Sequence, residues 1–201
     1  MKISLQHIKK RFGDELLFDD LNVEFESPSS TALLGINGSG KSTLLQMIAT
    51  YVMPDKGNVT YRKNNQTLND EEVFREVSFC SPYLELIEEL SLTEFLHYHF
   101  SFKKKLLPIQ EIIQRIGLHE AGDKRIEKFS SGMKQRVKLA QAIFADTSVL
   151  LLDEPCTNLD QQGIDLYTQL IRDYSRDRIV IVASNDEKEY KVCDSRFYVK
   201  S

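Results

Sequence analysis

Residues 35 to 43 read GINGSGKST and follow directly on the apolar run TALL at 31–34. Gly35, Gly40, Lys41 and Ser42 satisfy the spacing GxxxxGK[ST], set between a predicted strand and the predicted helix STLLQMIATYV. Glycines at this spacing let backbone N–H groups turn inward around phosphates, and a helix start behind them adds its positive dipole end. Lys41 then reaches the terminal phosphates and Ser42 is left to ligate magnesium. A plain glycine-rich turn with a surface lysine is the alternative, and the strand before and helix after it argue against that.

Working outward, LNVEFE at 21–26 places Leu21, Val23 and Phe25 on one face at period two, the pattern of a half-buried strand, with Ile3 and Leu5 as a partner. VSFC at 77–80, VLLLD at 149–153 and RIVIVAS at 178–184 are short apolar runs suited to strands buried on both faces of a parallel sheet. Helical patterns lie between them. PIQEIIQRIGL carries a stripe of Ile109, Ile112, Ile113 and Ile116 behind Pro108, and GIDLYTQLIRDY one of Tyr167, Leu170, Ile171 and Tyr174. Strands alternating with helices predict an α/β fold. From about 83 to 127 the pattern is almost wholly helical, which predicts a helical lobe inserted into the α/β core.

The chain has 201 residues, 41% hydrophobic and 28% charged, so an ordinary globular protein is expected and a disordered one excluded. Its net charge of −4 lacks the basic footprint of a duplex-binding protein, and no nucleic-acid partner is expected. The start MKISLQHIKKRF has no apolar block of a signal peptide, and no window approaches the ~20 apolar residues of a membrane span, so a cytoplasmic protein is expected. Cys80, Cys156 and Cys193 are widely spaced and without a CxxC pair, which fits reduced, structural thiols.

Two further segments carry chemistry. In VLLLDEP at 149–155, Asp153 and Glu154 emerge together at the end of a buried strand: one carboxylate suits magnesium, and its neighbour suits polarising the water that attacks a terminal phosphate. A solvated acidic turn is the bland reading. FSSGMKQRVKLAQAI at 129–143 has near its start a serine suited to a helix N-cap, and Val137, Ala140 and the following Phe144 lie on one side. Alone it is a well-capped helix; its order and distance relative to GINGSGKST and VLLLDEP give it more meaning.

Together these segments resemble the nucleotide-binding subunit of ATP-binding cassette (ABC) transporters over nearly the whole chain. The resemblance implies a P-loop NTPase core with a mainly parallel sheet, an N-terminal antiparallel β-subdomain and an inserted helical subdomain. It implies a single domain over 1–201, with core segments 1–82 and 146–201 and a helical subdomain, 83–145, carrying the signature motif.

By resemblance GINGSGKST is the Walker A loop, so Gly35, Ile36, Asn37, Gly38, Ser39, Gly40, Lys41, Ser42 and Thr43 would hold ATP. VLLLDEP is the Walker B strand, with Glu154 the catalytic carboxylate and Asp153 beside Ser42 at Mg2+. SSGMK is similar to the signature usually seen as LSGGQ, which would place Ser130, Ser131, Gly132 and Met133 on ATP bound by a second subunit. TNLD, ending in Asp160, resembles the loop that contacts the partner subunit. Phe12 sits where the family places an aromatic ring against adenine, and a core position is its other reading.

The implied protein is an ATPase that dimerises, as homodimer or heterodimer, around two ATP molecules and drives a polytopic membrane permease from the inner face of the cell membrane. Alternatives are a soluble ABC-type ATPase with a non-membrane partner, or a nucleotide-binding regulatory subunit with little turnover.

Two positions depart from the family pattern. Its usual glutamine after the strand ending in Cys80 is missing: the loop reads SPYLEL, with Pro82 or Tyr83 in place of a carboxamide. Its usual histidine at the end of RIVIVASND is Asn185, which can hydrogen-bond a phosphate but cannot titrate near neutrality. Slow hydrolysis, with Glu154 alone activating water, is therefore expected. His97 and His99 do not share a helix face and are read as ordinary surface or core positions. KKK at 103–105 is read as a solvated turn, with lipid headgroups as the alternative, and YLELIEEL at 83–90 either as a plain amphipathic segment or as a docking site for a short helix of the membrane partner.

Overall fold

The computed structural model describes residues 1–199. Strand β1 (Lys2–Phe12) pairs antiparallel with β2 (Glu15–Glu26), Ile3 opposite Phe25 and Leu5 opposite Val23, as their shared alternation predicts. Next come β3 (Ser29–Leu34), α1 (Lys41–Ile48), β4 (Lys56–Lys63) and β5 (Gln66–Thr67), and the first sheet has the order β2-β1-β4-β5. The chain continues through α2 (Asp70–Glu76), β6 (Val77–Cys80), α3 (Leu92–Phe102), α4 (Ile109–Arg115), two short 3-10 turns and α5 (Ser131–Ile143). It closes with β7 (Val149–Asp153), α6 (Gln161–Tyr174), β8 (Ile179–Ala183), α7 (Glu187–Tyr190) and β9 (Ser195–Tyr198). The second sheet, β6-β7-β8-β3-β9, is parallel throughout.

The parallel sheet is buried on both faces, and period two sorts its residues. Leu150, Leu152, Val180 and Val182 join Val137, Ile143, Phe144 and Tyr167 in one apolar cluster. Val149, Leu151, Ile179 and Ile181 join the opposite cluster with Leu44, Leu45 and Ile48 of α1 and Ile3, Leu5 and Phe25 of the antiparallel sheet. Neither register can slip by one residue without exchanging these two cores. Helix α1 stops at Ile48, short of the predicted extent, because Thr50 adopts φ 64 and the N–H groups of Tyr51 and Val52 turn back to the Gln46 carbonyl.

The segment 83–127 is less helical than its composition predicts. Residues 83–90 are short turns joined by irregular backbone, with the Glu88 and Leu90 carbonyls accepting from Glu127 and Ile126, so the backbone pairs across the lobe instead of coiling. Helix α3 begins only after Ser91, which with Glu94 forms a capping box, a device contributing about 1 kcal/mol. The lobe is not a separate core: Phe95, Leu96, Ile112 and Ile116 lie in the same cluster as Leu150 and Tyr167.

Lys103 corrects the reading of KKK. Its ammonium donates to the Val77 carbonyl at 2.7 Å and to that of Phe74, and lies 4.1 Å from the centre of the Phe74 ring. Burial pulls its pKa down to about 8, opposed by Glu76. It therefore ties the end of α3 to the α2–β6 junction, and of the three lysines Lys104 and Lys105 are exposed. His99 is half-buried against the Gln141 carbonyl at 3.1 Å, and burial lowers its pKa to about 4, a neutral packing role; His97 is exposed. Cys80 and Cys156 are buried, Cys193 is half-buried, and all three are free thiols.

Candidate nucleotide site

The C-terminal ends of β3, β7 and β8 bring the expected groups together, where open parallel sheets bind ligands. After Leu34 the chain loops through Gly38 at φ 87 and Gly40 at φ 95 into α1. Gly40 is required on two counts: its φ is left-handed, and a Cβ there would meet the Phe18 ring at 2.6 Å. Lys41 Nζ donates to the Gly35 and Ile36 carbonyls at 2.8 and 3.2 Å, which holds the cation over the mouth of the loop. Ile36, Asn37 and Gly38 are exposed at the rim, Thr43 is half-buried on α1, and Ser39 is buried with no partner for its hydroxyl.

Asp153, only 3% exposed, accepts from Ser42 Oγ at 3.0 Å. Burial pushes its carboxyl above the ordinary range, while the bond from Ser42 opposes that. A hydroxyl and a carboxylate at this spacing are hard oxygen donors suited to Mg2+, which keeps most of its waters and takes few protein ligands. Glu154 is exposed at φ 43, its N–H bonded to the Ala183 carbonyl at 3.0 Å. Asn185, also exposed, donates through Nδ2 to Asn37 Oδ1 at 3.2 Å and accepts from the Gly35 N–H at 3.4 Å. Asn185 thus lies against the glycine-rich loop.

The signature start faces elsewhere. Ser130 caps α5 and accepts from the Met133 N–H at 3.2 Å, leaving Ser130 and Ser131 exposed. Together with Gly132, Met133, Arg136 and Asp160 they line a cavity of about 660 Å³ to which no residue of 35–43 contributes. Asp160 caps α6 by accepting from the Gly163 N–H at 2.8 Å, and Arg136 lies 3.7 Å from it. Gly132 passes so close to the Asn158 carbonyl that a Cβ would sit 3.1 Å from it. Signature and TNLD loop therefore share one surface of this chain. Phe12, at the end of β1, is 53% exposed with Lys10 5.2 Å from its ring centre, so the core alternative fails.

In the aberrant loop Tyr83 is 86% exposed, and nothing of SPYLEL bonds to Ser42 or Asp153. Instead, Lys138 on α5 donates to the Pro82 carbonyl, and Lys134 one turn earlier meets Glu88 at 2.5 Å. Sequence reading missed both lysines, because two cations one turn apart on an amphipathic helix read as a solvated face.

Strand-end loop, buried aspartate and parallel order define a P-loop nucleotide-binding domain. Comparison with known proteins narrows this: the family model described as ABC transporter matches residues 18–157, and the chain belongs to that family, whose members bind ATP and generally hydrolyse it. It is 28% identical over 209 residues to the tungstate uptake system ATP-binding protein TupC of Peptoclostridium acidaminophilum, covering 100% of this chain and 95% of that one. It is 30% identical over 189 residues to the cytochrome c biogenesis ATP-binding export protein CcmA of Histophilus somni, covering 92% and 87%. Its fold matches, with a TM-score of 0.83 at 22% identity over 98% of this chain and 94% of the other, a dimeric post-hydrolysis state of an ATP-binding cassette bound to ADP and Pi. No helix among the described residues is long and apolar enough to cross a membrane.

Proposed function

We propose that this chain binds ATP and Mg2+, pairs with a second ATP-binding subunit around two ATP molecules, and drives a polytopic permease from the inner face of the cell membrane. The observation that carries this reading is the meeting of Lys41, Ser42, Asp153, Glu154 and Asn185 at one end of the parallel sheet, with the signature start on a different surface. Residues 35–43 hold the phosphates, Ser42 and Asp153 hold the metal, Glu154 polarises the attacking water and Phe12 stacks on the base. Ser130–Met133 and Asp160 act on the partner subunit's ATP, since they are remote from the loop of their own chain. ATP favours closure because those contacts form only in the closed pair. The domain reading is one unit over 1–201, with the helical subdomain at 83–145 between core segments 1–82 and 146–201.

Relatives named for both uptake and export favour a transport subunit over a soluble mechanochemical rival, and fit a division of labour in which the membrane partner selects cargo. The docking surface for that partner is the groove of about 250 Å³ where Tyr51, Phe79, Leu84, Ile87, Tyr98 and Phe102 come together beside the SPYLEL loop. Pull-down from native membranes should recover a polytopic protein, and recovery of soluble partners alone would overturn the transport reading.

Hydrolysis is proposed to be slow. Asn185 reaches the phosphate loop with a carboxamide, which positions a phosphate but relays no proton. Asn185→His should raise steady-state turnover by roughly 100-fold, the lower end of what one acid–base group contributes. Fast wild-type turnover with no gain from the histidine would refute the slow-site reading and leave Glu154 sufficient.

A further inference from the structure

The turn after β7 is strained where the chemistry would occur. Glu154 holds φ 43, a conformation that costs a non-glycine residue about 1 kcal/mol, so its neighbours must hold it there. Its own N–H bonds to Ala183. The following peptide, Pro155–Cys156, is gripped on both sides by buried side chains: Gln135 Nε2 donates to the Pro155 carbonyl at 2.7 Å, and the Cys156 N–H donates to Glu189 Oε1 at 2.7 Å. Gln135 is 2% exposed and Glu189 6%.

Glu189 is an unexpected residue for this place. In DEKEY at 186–190 it reads as one more solvated acid on a short helix, yet it points inward. A carboxyl left in water would cost nothing, whereas a buried one is tolerated only where its hydrogen bonds are made. Burial pushes its carboxyl above the ordinary range, and the bond from the Cys156 N–H opposes that. Its carbonyl is fixed in turn by Tyr167, a fully buried residue of α6 whose hydroxyl donates to it at 2.8 Å. Ser184 immediately precedes Asn185, and its Oγ accepts from the Asp186 N–H at 2.9 Å.

We infer that Glu189 is a positioning residue for ATP hydrolysis: its carboxyl ties the turn that carries Glu154 to α7, the short helix that Asp186 caps directly after Asn185, so that the two groups meant for the terminal phosphate are held in one register. Gln135 is the opposite jaw of the same clamp and extends it to the signature helix. Each subunit's contact with its partner's ATP is thereby connected to its own catalytic turn. The kinetic consequence and the link to the partner's ATP rest on the function proposed above; the clamp itself is a statement about backbone order.

Amide hydrogen exchange over 153–160 and ATP turnover with Mg2+, measured on wild type, Glu189→Ala and Glu189→Gln, test this. Alanine should speed exchange at Cys156 about tenfold, as loss of one buried hydrogen bond implies. It should also lower kcat by roughly 10- to 100-fold with KM for ATP within about twofold, as expected for a misplaced catalytic group. Glutamine, whose carbonyl oxygen still accepts from Cys156, should restore both. Wild-type exchange and kcat in Glu189→Ala would overturn the inference, as would a glutamine variant that falls as far as alanine. Absence of turnover in the wild type would sink the ATPase reading instead, and the exchange result would still decide the clamp.

Discussion

Glu154→Gln is expected to lower ATP turnover by about 10²- to 10⁴-fold, the range general-base catalysis contributes, while ATP binding changes little. The adjoining carboxylates have different surroundings. Asp153 is buried on Ser42, whereas Glu154 is exposed at the strand end with only its backbone tied down, leaving its carboxylate free to face a water. Glutamine keeps the shape and one hydrogen-bond acceptor but cannot take the proton. The same variant should elute as a dimer in gel filtration only when ATP and magnesium are present, because hydrolysis can no longer separate the closed pair. A persistent monomer would overturn the shared-ATP arrangement, and turnover within about twofold of wild type would remove Glu154 from the general-base role.

Lys41→Ala is expected to raise the Kd for ATP by roughly 10- to 100-fold, measured by titration calorimetry. The Lys41 ammonium lies on the Gly35 and Ile36 carbonyls, so the cation is held at the loop mouth and little ordering remains when phosphates arrive. Hydrogen bonds to charged groups contribute about 1.5–3 kcal/mol, which sets the expected factor. Unchanged affinity would show that the backbone N–H groups of the loop and the start of α1 suffice to hold the anion.

Much of the architecture was legible because its signals are local. The apolar runs at 31–34, 77–80, 149–153 and 179–183 became the parallel strands, since only strands buried on both faces use such runs without alternation. Strand β9, with Ser195, Arg196 and Tyr198 outward, and the short β5 carry no such run and could not be picked out. The helical excess read into 83–90 came from acids and leucines in near-helical spacing; pairing with 126–127 competed for the same backbone groups and prevailed.

For the site, the sequence by itself determined the residues whose roles depend on near neighbours. Glycine spacing, the lysine after it and two acids at a strand end are constraints within a few positions, and they picked out residues 35–43 and the Asp153–Glu154 pair as the candidate site. Only the tertiary structure decided which distant groups face one another: Asn185 against Asn37, Arg136 against Asp160, Lys138 on Pro82, and Glu189 beneath Cys156. A carboxylate in DEKEY and a lysine on α5 have the same local chemistry whether solvated or buried. Burial is set by the packing of α5, α6 and α7 against the strands, and no short window of sequence contains that packing.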